Sequence, residues 1–186
     1  MSETYAIASL AMIEIGLRII AVLDTFMLSI RPAKIEDAAL LKALIGELAE
    51  YERLSHEVVI TEEDLCRDGF GPQPKFRALI ADWSDEPAGY ALIYRTYSTF
   101  NGQAGLFLED LFVRTQFRGK GIGKALFGQV ARMAREEKCY GVHWEVLDWN
   151  RSAIDFYQSL GAVFRDPWRS LSLSGEPLQK LAEKAH

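Results

Sequence analysis

Cysteine and basic residues are both scarce in this chain, and each scarcity argues against a class of protein. Its 186 residues include only two cysteines, Cys66 and Cys139, without a Cys-x-x-Cys pair, which argues against a disulfide framework and fits a reducing cytoplasm. Lysine and arginine number 21 against 26 acidic residues, a formal net charge of −5, whereas nucleic-acid-binding domains are usually basic. His56 and His143 lack metal-ligand spacing, so we predict no metal site.

Long apolar runs are also missing. The stretch 4–13 is uncharged, but Glu14, Arg18 and Asp24 place charges in the residues after it, and a membrane-spanning helix needs about 20 mostly apolar residues. The acidic start also differs from the basic start of a secretory signal. We therefore expect no membrane association and a cytoplasmic location. Residues 1–27 are expected to be an appendage, either helical or the product of an over-extended start codon, ahead of one domain at 28–186.

Apolar residues make up 49% of the chain, which is enough for the core of one α+β domain. Alternating and helical patterns predict the order β-α-α-β-β-β-α-β-α-β around a central mixed sheet. A short C-terminal helix is expected after Gly175. The predicted strands are 28–31, 76–81, 88–97, 105–113, 140–147 and 168–173, and the longer predicted helices are 35–53, 120–137 and 150–160.

A glycine-rich segment between a predicted strand and a predicted helix is the sharpest motif. Arg118, Gly121 and Gly123 form Arg-x-x-Gly-x-Gly, and a helix N-terminus behind such a loop can bind an anion. The segment is not a P-loop, because Arg118 stands where that motif needs glycine and Ala125 where it needs Ser or Thr. Leu126 replaces the third glycine of a dinucleotide-binding fingerprint. A glycine-rich turn with solvated basic residues is the alternative.

The motif and several segments in the same order resemble the GNAT superfamily of acetyl-CoA-dependent N-acetyltransferases. The matching segments are Leu48-Ala-Glu-Tyr-Glu, Asp68-Gly-Phe-Gly, Leu108-Glu-Asp, Leu147-Asp-Trp-Asn and Ile154-Asp-Phe-Tyr. They are similar to the diamine acetyltransferase branch, which includes spermidine/spermine and thialysine acetyltransferases. The resemblance covers residues 28–181 and implies a GNAT-type mixed, mostly antiparallel sheet, with strands splayed around the acetyl-CoA site.

The resemblance also implies direct transfer through a ternary complex, with Tyr157 as the general acid and Glu109 as the base or base relay. A phenol with a pKa near 10 suits protonation of a departing thiolate. From the residues alone, Tyr157 also fits the apolar stripe of its helix. The implied acetyl-CoA-binding residues are Leu111, Phe112, Val113, Arg118, Gly119, Lys120, Gly121, Ile122, Gly123, Lys124, Asn150 and Ala153.

The position of Glu109 in its strand bears on that role. Strict alternation places Glu109 on one face with Phe107 and Leu111, and Asp110 on the other, unless a bulge redirects them. A carboxylate among apolar neighbours is expected to pay a desolvation cost. The alternative is an ordinary edge carboxylate at the end of a strand.

The predicted amine pocket combines carboxylates with aromatic rings, which suit a cation through Coulomb and cation–π attraction. The segment before Trp168 is shorter than usual in the family. The resemblance further implies a homodimer. Two other interpretations stay open: a GNAT that acetylates a protein lysine or N-terminus, and a catalytically silent acyl-CoA-binding module. The implied amine-binding residues are Tyr51, Glu52, Glu109, Asp110, His143, Trp144, Glu145 and Trp168.

Overall fold

The computed structural model describes residues 27–185, which divide into two compact units, one ending at Glu145 and the other beginning at Val146. The appendage predicted for residues 1–27 lies outside the described residues, except for Met27. The described helices include none that is long and apolar enough to cross a membrane.

The first unit is built on a mixed sheet in the strand order β1-β2-β3-β4-β5. Strands β1 to β4 pair antiparallel as a meander, and β5 joins β4 in parallel. Ser84 and Asp85, both with positive φ, form the two-residue turn between β2 and β3, as this hairpin requires. The mixed sheet was correctly predicted. The strands are β1 Leu28–Pro32, β2 Arg77–Trp83, β3 Glu86–Ser98, β4 Gln103–Val113 and β5 Val142–His143.

Helices cover both faces of this sheet. The helices α1 (Ala38–Glu52) and α2 (Glu62–Phe70) bury Leu41, Leu44 and Leu65 against one face, in what we call the α1–α2 cluster. Helix α3 (Ile122–Glu136) buries residues at the helical spacing i, i+4 against the opposite face, in the α3 cluster. The α3 residues in that cluster are Ile122, Leu126, Val130 and Ala134.

The second unit is helical, with α4 at Arg151–Ser159 and α5 at Gly175–Ala182. The strand predicted at 168–173 is wrong, because these residues form no ladder although Leu171 and Leu173 alternate with serines. Both leucines are exposed, so the alternation does not place apolar side chains against a buried face that would stabilise a strand. The strand predicted at 140–147 is likewise reduced to Val142–His143.

Candidate active site

Strand β4 contains a bulge at Glu109, inside the acidic-apolar motif. In the pairing of β3 with β4, Leu92 lies opposite Asp110 and Ile93 lies opposite Leu108, so Glu109 is the extra residue. One extra residue shifts the alternation of side chains by one position. The side chains beyond the bulge therefore lie on the opposite faces from those that strict alternation assigns.

Because of the bulge, the surroundings of Glu109 differ from those predicted. Leu108 and Leu111 both pack with the α3 cluster, although strict alternation places residues three apart on opposite faces. Phe107 instead stacks on Tyr94, with 5.1 Å between the ring centroids. Glu109 is itself exposed, so the desolvation predicted for this carboxylate is wrong.

The carboxylate that pays the desolvation cost is Asp110. The hydroxyl of Tyr90 donates to Asp110 Oδ2 at 2.9 Å, and Tyr90 is fully buried in the α1–α2 cluster. Burial raises the pKa of Asp110 to about 6, the Tyr90 hydrogen bond opposes this rise, and Glu109 and Glu52 add to it. Burial, and next the charge and hydrogen bond of Asp110, hold the pKa of Tyr90 well above its usual value, and Glu52 and Glu109 add smaller contributions.

Glu52 reaches this group from the last residue of α1. The helix ends there because Arg53 adopts the left-handed conformation, and burial raises the pKa of the Glu52 carboxyl. Glu52 acts electrostatically on both Asp110 and Tyr90. We call Glu52, Glu109 and Asp110 the acidic cluster. The fold thus brings together carboxylates that are 57 and 58 positions apart in the sequence.

Of the residues around β5 that were predicted for the amine pocket, Glu145 acts electrostatically on Tyr94, whereas His143 and Trp144 make ring contacts. Burial raises the pKa of Tyr94, and the charges of Glu109 and Glu145 both contribute to the rise, so these carboxylates act electrostatically on Tyr94. His143 lies beside the Tyr140 ring at 4.9 Å between centroids. Trp144 packs edge-on against Phe127 and joins the α3 cluster.

The glycine-rich loop forms the N-terminus of α3. Gly119 and Gly121 both have φ near +77°, a conformation that favours glycine, and nothing lies within 4 Å of a Cβ built on either residue. Backbone conformation therefore requires these glycines, and their open side leaves room for a ligand. No side chain caps the helix at Gly121, and the first helical bond runs from the Ala125 amide to the Gly121 carbonyl. The preceding amides belong to Ile122, Gly123 and Lys124, and such amides attract anions.

Aromatic rings hold two cations of the loop. The Arg118 guanidinium lies 4.4 Å from the centroid of the Tyr51 ring, and its Nε donates to the Val113 carbonyl at 2.9 Å. Lys120 Nζ lies 4.7 Å from the centroid of the Trp83 ring. Tyr51, predicted for the amine pocket, thus contacts the residue that begins the Arg-x-x-Gly-x-Gly motif.

The edge of β4 beside the loop has no strand partner among the described residues. β5 pairs with β4 only at Leu106 and Phe107, so no described strand follows this edge from 108 to 113. The amide of Arg114 donates to Ala88 on the β3 side, so by alternation the polar groups of Val113 and Leu111 face away from β3. The side chain of Phe112 is buried in the α1–α2 cluster.

The second unit carries the remaining predicted residues. The Asn150 side chain accepts from the Ala153 amide at 3.2 Å and caps α4, as the sequence predicts. Tyr157 is half-buried on this helix, and its ring centroid lies 5.2 Å from that of Phe156. Trp168 is exposed.

Tyr90 is the residue that the sequence did not reveal, because an aromatic residue in a strand normally signals core packing. Its partner depends on the β3–β4 register, which the bulge at Glu109 alters. Over residues 27–185, no group of three His, Cys, Asp or Glu side chains is arranged to hold a metal ion.

Comparisons with known proteins identify the family. The model of the acetyltransferase (GNAT) family matches residues 39–162. The chain is 40% identical over 166 residues to thialysine N-epsilon-acetyltransferase of Sus scrofa, covering 83% of this chain and 97% of that protein. It is 33% identical over 163 residues to spermidine/spermine N(1)-acetyltransferase-like protein 1 of Homo sapiens, covering 82% of this chain and 23% of that protein.

A solved structure shares the architecture. An integron cassette protein from the mobile metagenome of V. cholerae superposes with a TM-score of 0.72 at 25% identity, covering 85% of this chain and 99% of that one. The family match spans more than half of the chain, and the relative from Sus scrofa is matched over almost its whole length. The chain belongs to the GNAT acetyltransferase family.

Proposed function

We propose that this protein transfers the acetyl group of acetyl-CoA directly, in a ternary complex, to a primary amine of a small dibasic acceptor. The acceptor class is a lysine-like (thialysine-type) amine, a diamine or a polyamine. The observation that carries the proposal is the acidic cluster, in which Glu52 and Asp110 are both placed where burial raises their pKa. A second cationic centre on the acceptor relieves that unfavourable burial of negative charge. The name of the Sus scrofa relative points to the same acceptor class.

The acceptor must lose a proton before it attacks, because a primary amine with a pKa near 10 is mostly protonated at neutral pH. Glu109 is the candidate base or base relay. Its exposure at the bulge lets it receive the proton through water, while Asp110 and Glu52 hold the second cation. The protein thus assigns different tasks to neighbouring carboxylates according to their burial.

The loop and the β4 edge fit acetyl-CoA. The amides of Ile122, Gly123 and Lys124 suit its phosphates, together with the cations Arg118 and Lys120. Polar backbone groups of Leu111 and Val113 suit an amide-containing arm and can polarise a carbonyl. When bound, acetyl-CoA supplies the acetyl group as a thioester.

Tyr157 is the candidate acid for the departing thiolate. The family resemblance supports this role, and the Asn150 cap fixes the start of the helix that carries the tyrosine. Its hydroxyl donates the proton to the sulfur as the carbon–sulfur bond breaks. The homodimer and the cytoplasmic location stay predictions.

A panel of acceptors assayed with acetyl-CoA for thiol release tests the proposal. We expect thialysine, lysine and spermidine to be acetylated with higher kcat/KM than a monobasic amine of similar length. A lysine-containing peptide in the same panel tests the protein-acetyltransferase alternative, which a preference for the peptide would support against ours.

Two glycine variants test the loop in the same assay. Gly121→Asp places a carboxylate at the N-terminus of α3 and a side chain at a positive φ, so we expect acetyl-CoA binding to weaken. Gly128→Asp is the matched control, because Gly128 is exposed on the same helix with nothing within 4 Å of its built Cβ. If both folded variants bind acetyl-CoA with equal affinity, the loop is not part of the acetyl-CoA site. Acetyl-CoA binding without turnover of any acceptor would favour the silent module.

A further inference from the structure

The hydroxyl of Tyr90 needs an explanation that packing does not supply. Its ring is fully buried among apolar side chains of the α1–α2 cluster, where phenylalanine would fill the same space. The hydroxyl is directed at one atom, Asp110 Oδ2, at 2.9 Å. It occupies only one of the two carboxylate oxygens, so Oδ1 can accept a hydrogen bond from a ligand.

The groups that act on Asp110 come from three elements. Tyr90 faces it from β3, Glu52 from the end of α1, and Glu109 from its own strand. Burial and the two glutamates favour the neutral acid, whereas the Tyr90 hydrogen bond favours the carboxylate. Tyr90 therefore counteracts the effect of the acidic cluster on its most deeply placed member.

We propose that Tyr90 is a positioning residue that keeps Asp110 ionised and fixed in orientation, so that the affinity for a dibasic acceptor depends on Tyr90. The inference rests on the proposed function, because it assigns Asp110 to the second cationic centre of the acceptor. Tyr90 acts through Asp110 and not on the reacting atoms. Its loss should therefore change KM for the acceptor rather than kcat.

The test compares Tyr90→Phe with the wild type between pH 6 and 9, using thialysine and a monobasic amine at saturating acetyl-CoA. The variant keeps the buried ring and removes the hydrogen bond. A hydrogen bond to a charged group is worth enough to move the pKa of Asp110 upward by about one unit. From a pKa of about 6, the ionised fraction at pH 6.5 then falls from roughly three quarters to roughly one quarter.

We therefore expect KM for thialysine in the variant to rise about threefold at pH 6.5. It should match the wild type at pH 8.5, where Asp110 is ionised in both proteins. kcat and KM for acetyl-CoA should stay within about twofold of the wild type, because the hydrogen bond lies outside the reacting centre. Tyr97→Phe, at an exposed position of the same strand, is the matched control and should show no such pH-dependent change. An unchanged KM for thialysine at every pH in folded Tyr90→Phe would overturn the inference.

A double variant and a direct titration separate this role from a structural one. In the Asp110→Asn background, Tyr90→Phe should produce no further pH-dependent change in KM, because the group it acts on no longer titrates. The Asp110 carboxyl, followed by carbon NMR, should titrate at higher pH in Tyr90→Phe than in the wild type. An unshifted titration would refute the inference, and this measurement does not depend on acetylation. Failure of the wild type to acetylate any amine in the panel would instead refute the proposed function.

Discussion

Replacing Asp110 by asparagine should stabilise the protein at neutral pH while impairing its binding of dibasic acceptors. The pKa of Asp110 rises from its ordinary 3.8 to about 6, a difference of about two units. At ~1.36 kcal/mol per unit, the ionised carboxylate costs the folded state at most about 3 kcal/mol. Asparagine removes this charge and keeps an oxygen that can accept from Tyr90. Because Asp110 is only partly buried, we expect the gain to be about 1–3 kcal/mol.

The sign of this effect depends on pH. A carboxyl with a raised pKa binds its proton more tightly in the folded state, so its stability cost appears as pH rises from about 4 through about 6. The variant should therefore exceed the wild type in Tm by about 2–10 °C at pH 7.5 and match it near pH 4. Thermal unfolding measured by circular dichroism across this range provides the assay.

Asp37→Asn is a control of opposite sign. Asp37 accepts two hydrogen bonds from Arg31, at 2.7 and 3.0 Å, and this guanidinium lowers the pKa of the Asp37 carboxyl. Its loss should lower Tm at pH 7.5, and the difference should shrink as pH falls through the lowered pKa. A lower Tm for Asp110→Asn at pH 7.5, or a stabilisation that persists unchanged at pH 4, would refute the electrostatic reasoning.

Three further substitutions probe the proposed roles. Tyr157→Phe should lower kcat by about 10²-fold or more with Tm nearly unchanged, since it removes only the hydroxyl of the proposed acid; kcat within about twofold of the wild type would contradict that role. Glu52→Gln should raise KM for a dibasic amine more than for a monobasic one in steady-state assays, whereas equal changes would place Glu52 outside the pocket. Tyr51→Leu should raise KM for acetyl-CoA about two- to fivefold, because Arg118 loses the ring beneath its guanidinium. A change only in KM for the amine would instead support the predicted position of Tyr51 in the acceptor pocket.

The order of elements up to α4 could be predicted because each element carries a local signal. Helix α3 shows apolar residues at i, i+4 after a glycine turn, and α4 begins at Asn150, whose side chain makes the predicted cap. The prediction of a strand at 168–173 was wrong, because an alternating segment forms a strand only where the edge of a neighbouring strand pairs with it.

The site was predictable in its residue types but not in its electrostatics. The pattern Leu108-Glu-Asp placed two carboxylates in β4, yet the bulge decides which of them is exposed and which is partly buried. A bulge depends on the pairing of two strands, so neither strand alone reveals it. The Tyr90–Asp110 hydrogen bond depends on that same register and was missed for the same reason.

The most direct test of the central claim is the mass of the acceptor after the protein is incubated with acetyl-CoA. Thialysine should gain one acetyl group on a primary amine, at a rate that matches thiol release. Asp110→Asn, tested at subsaturating thialysine, should slow this reaction much more than acetylation of a monobasic amine, because only the dibasic acceptor uses the Asp110 carboxylate. Absence of acetylated product from thialysine, lysine, spermidine and the lysine-containing peptide, while acetyl-CoA binds at the loop, would contradict the proposed function.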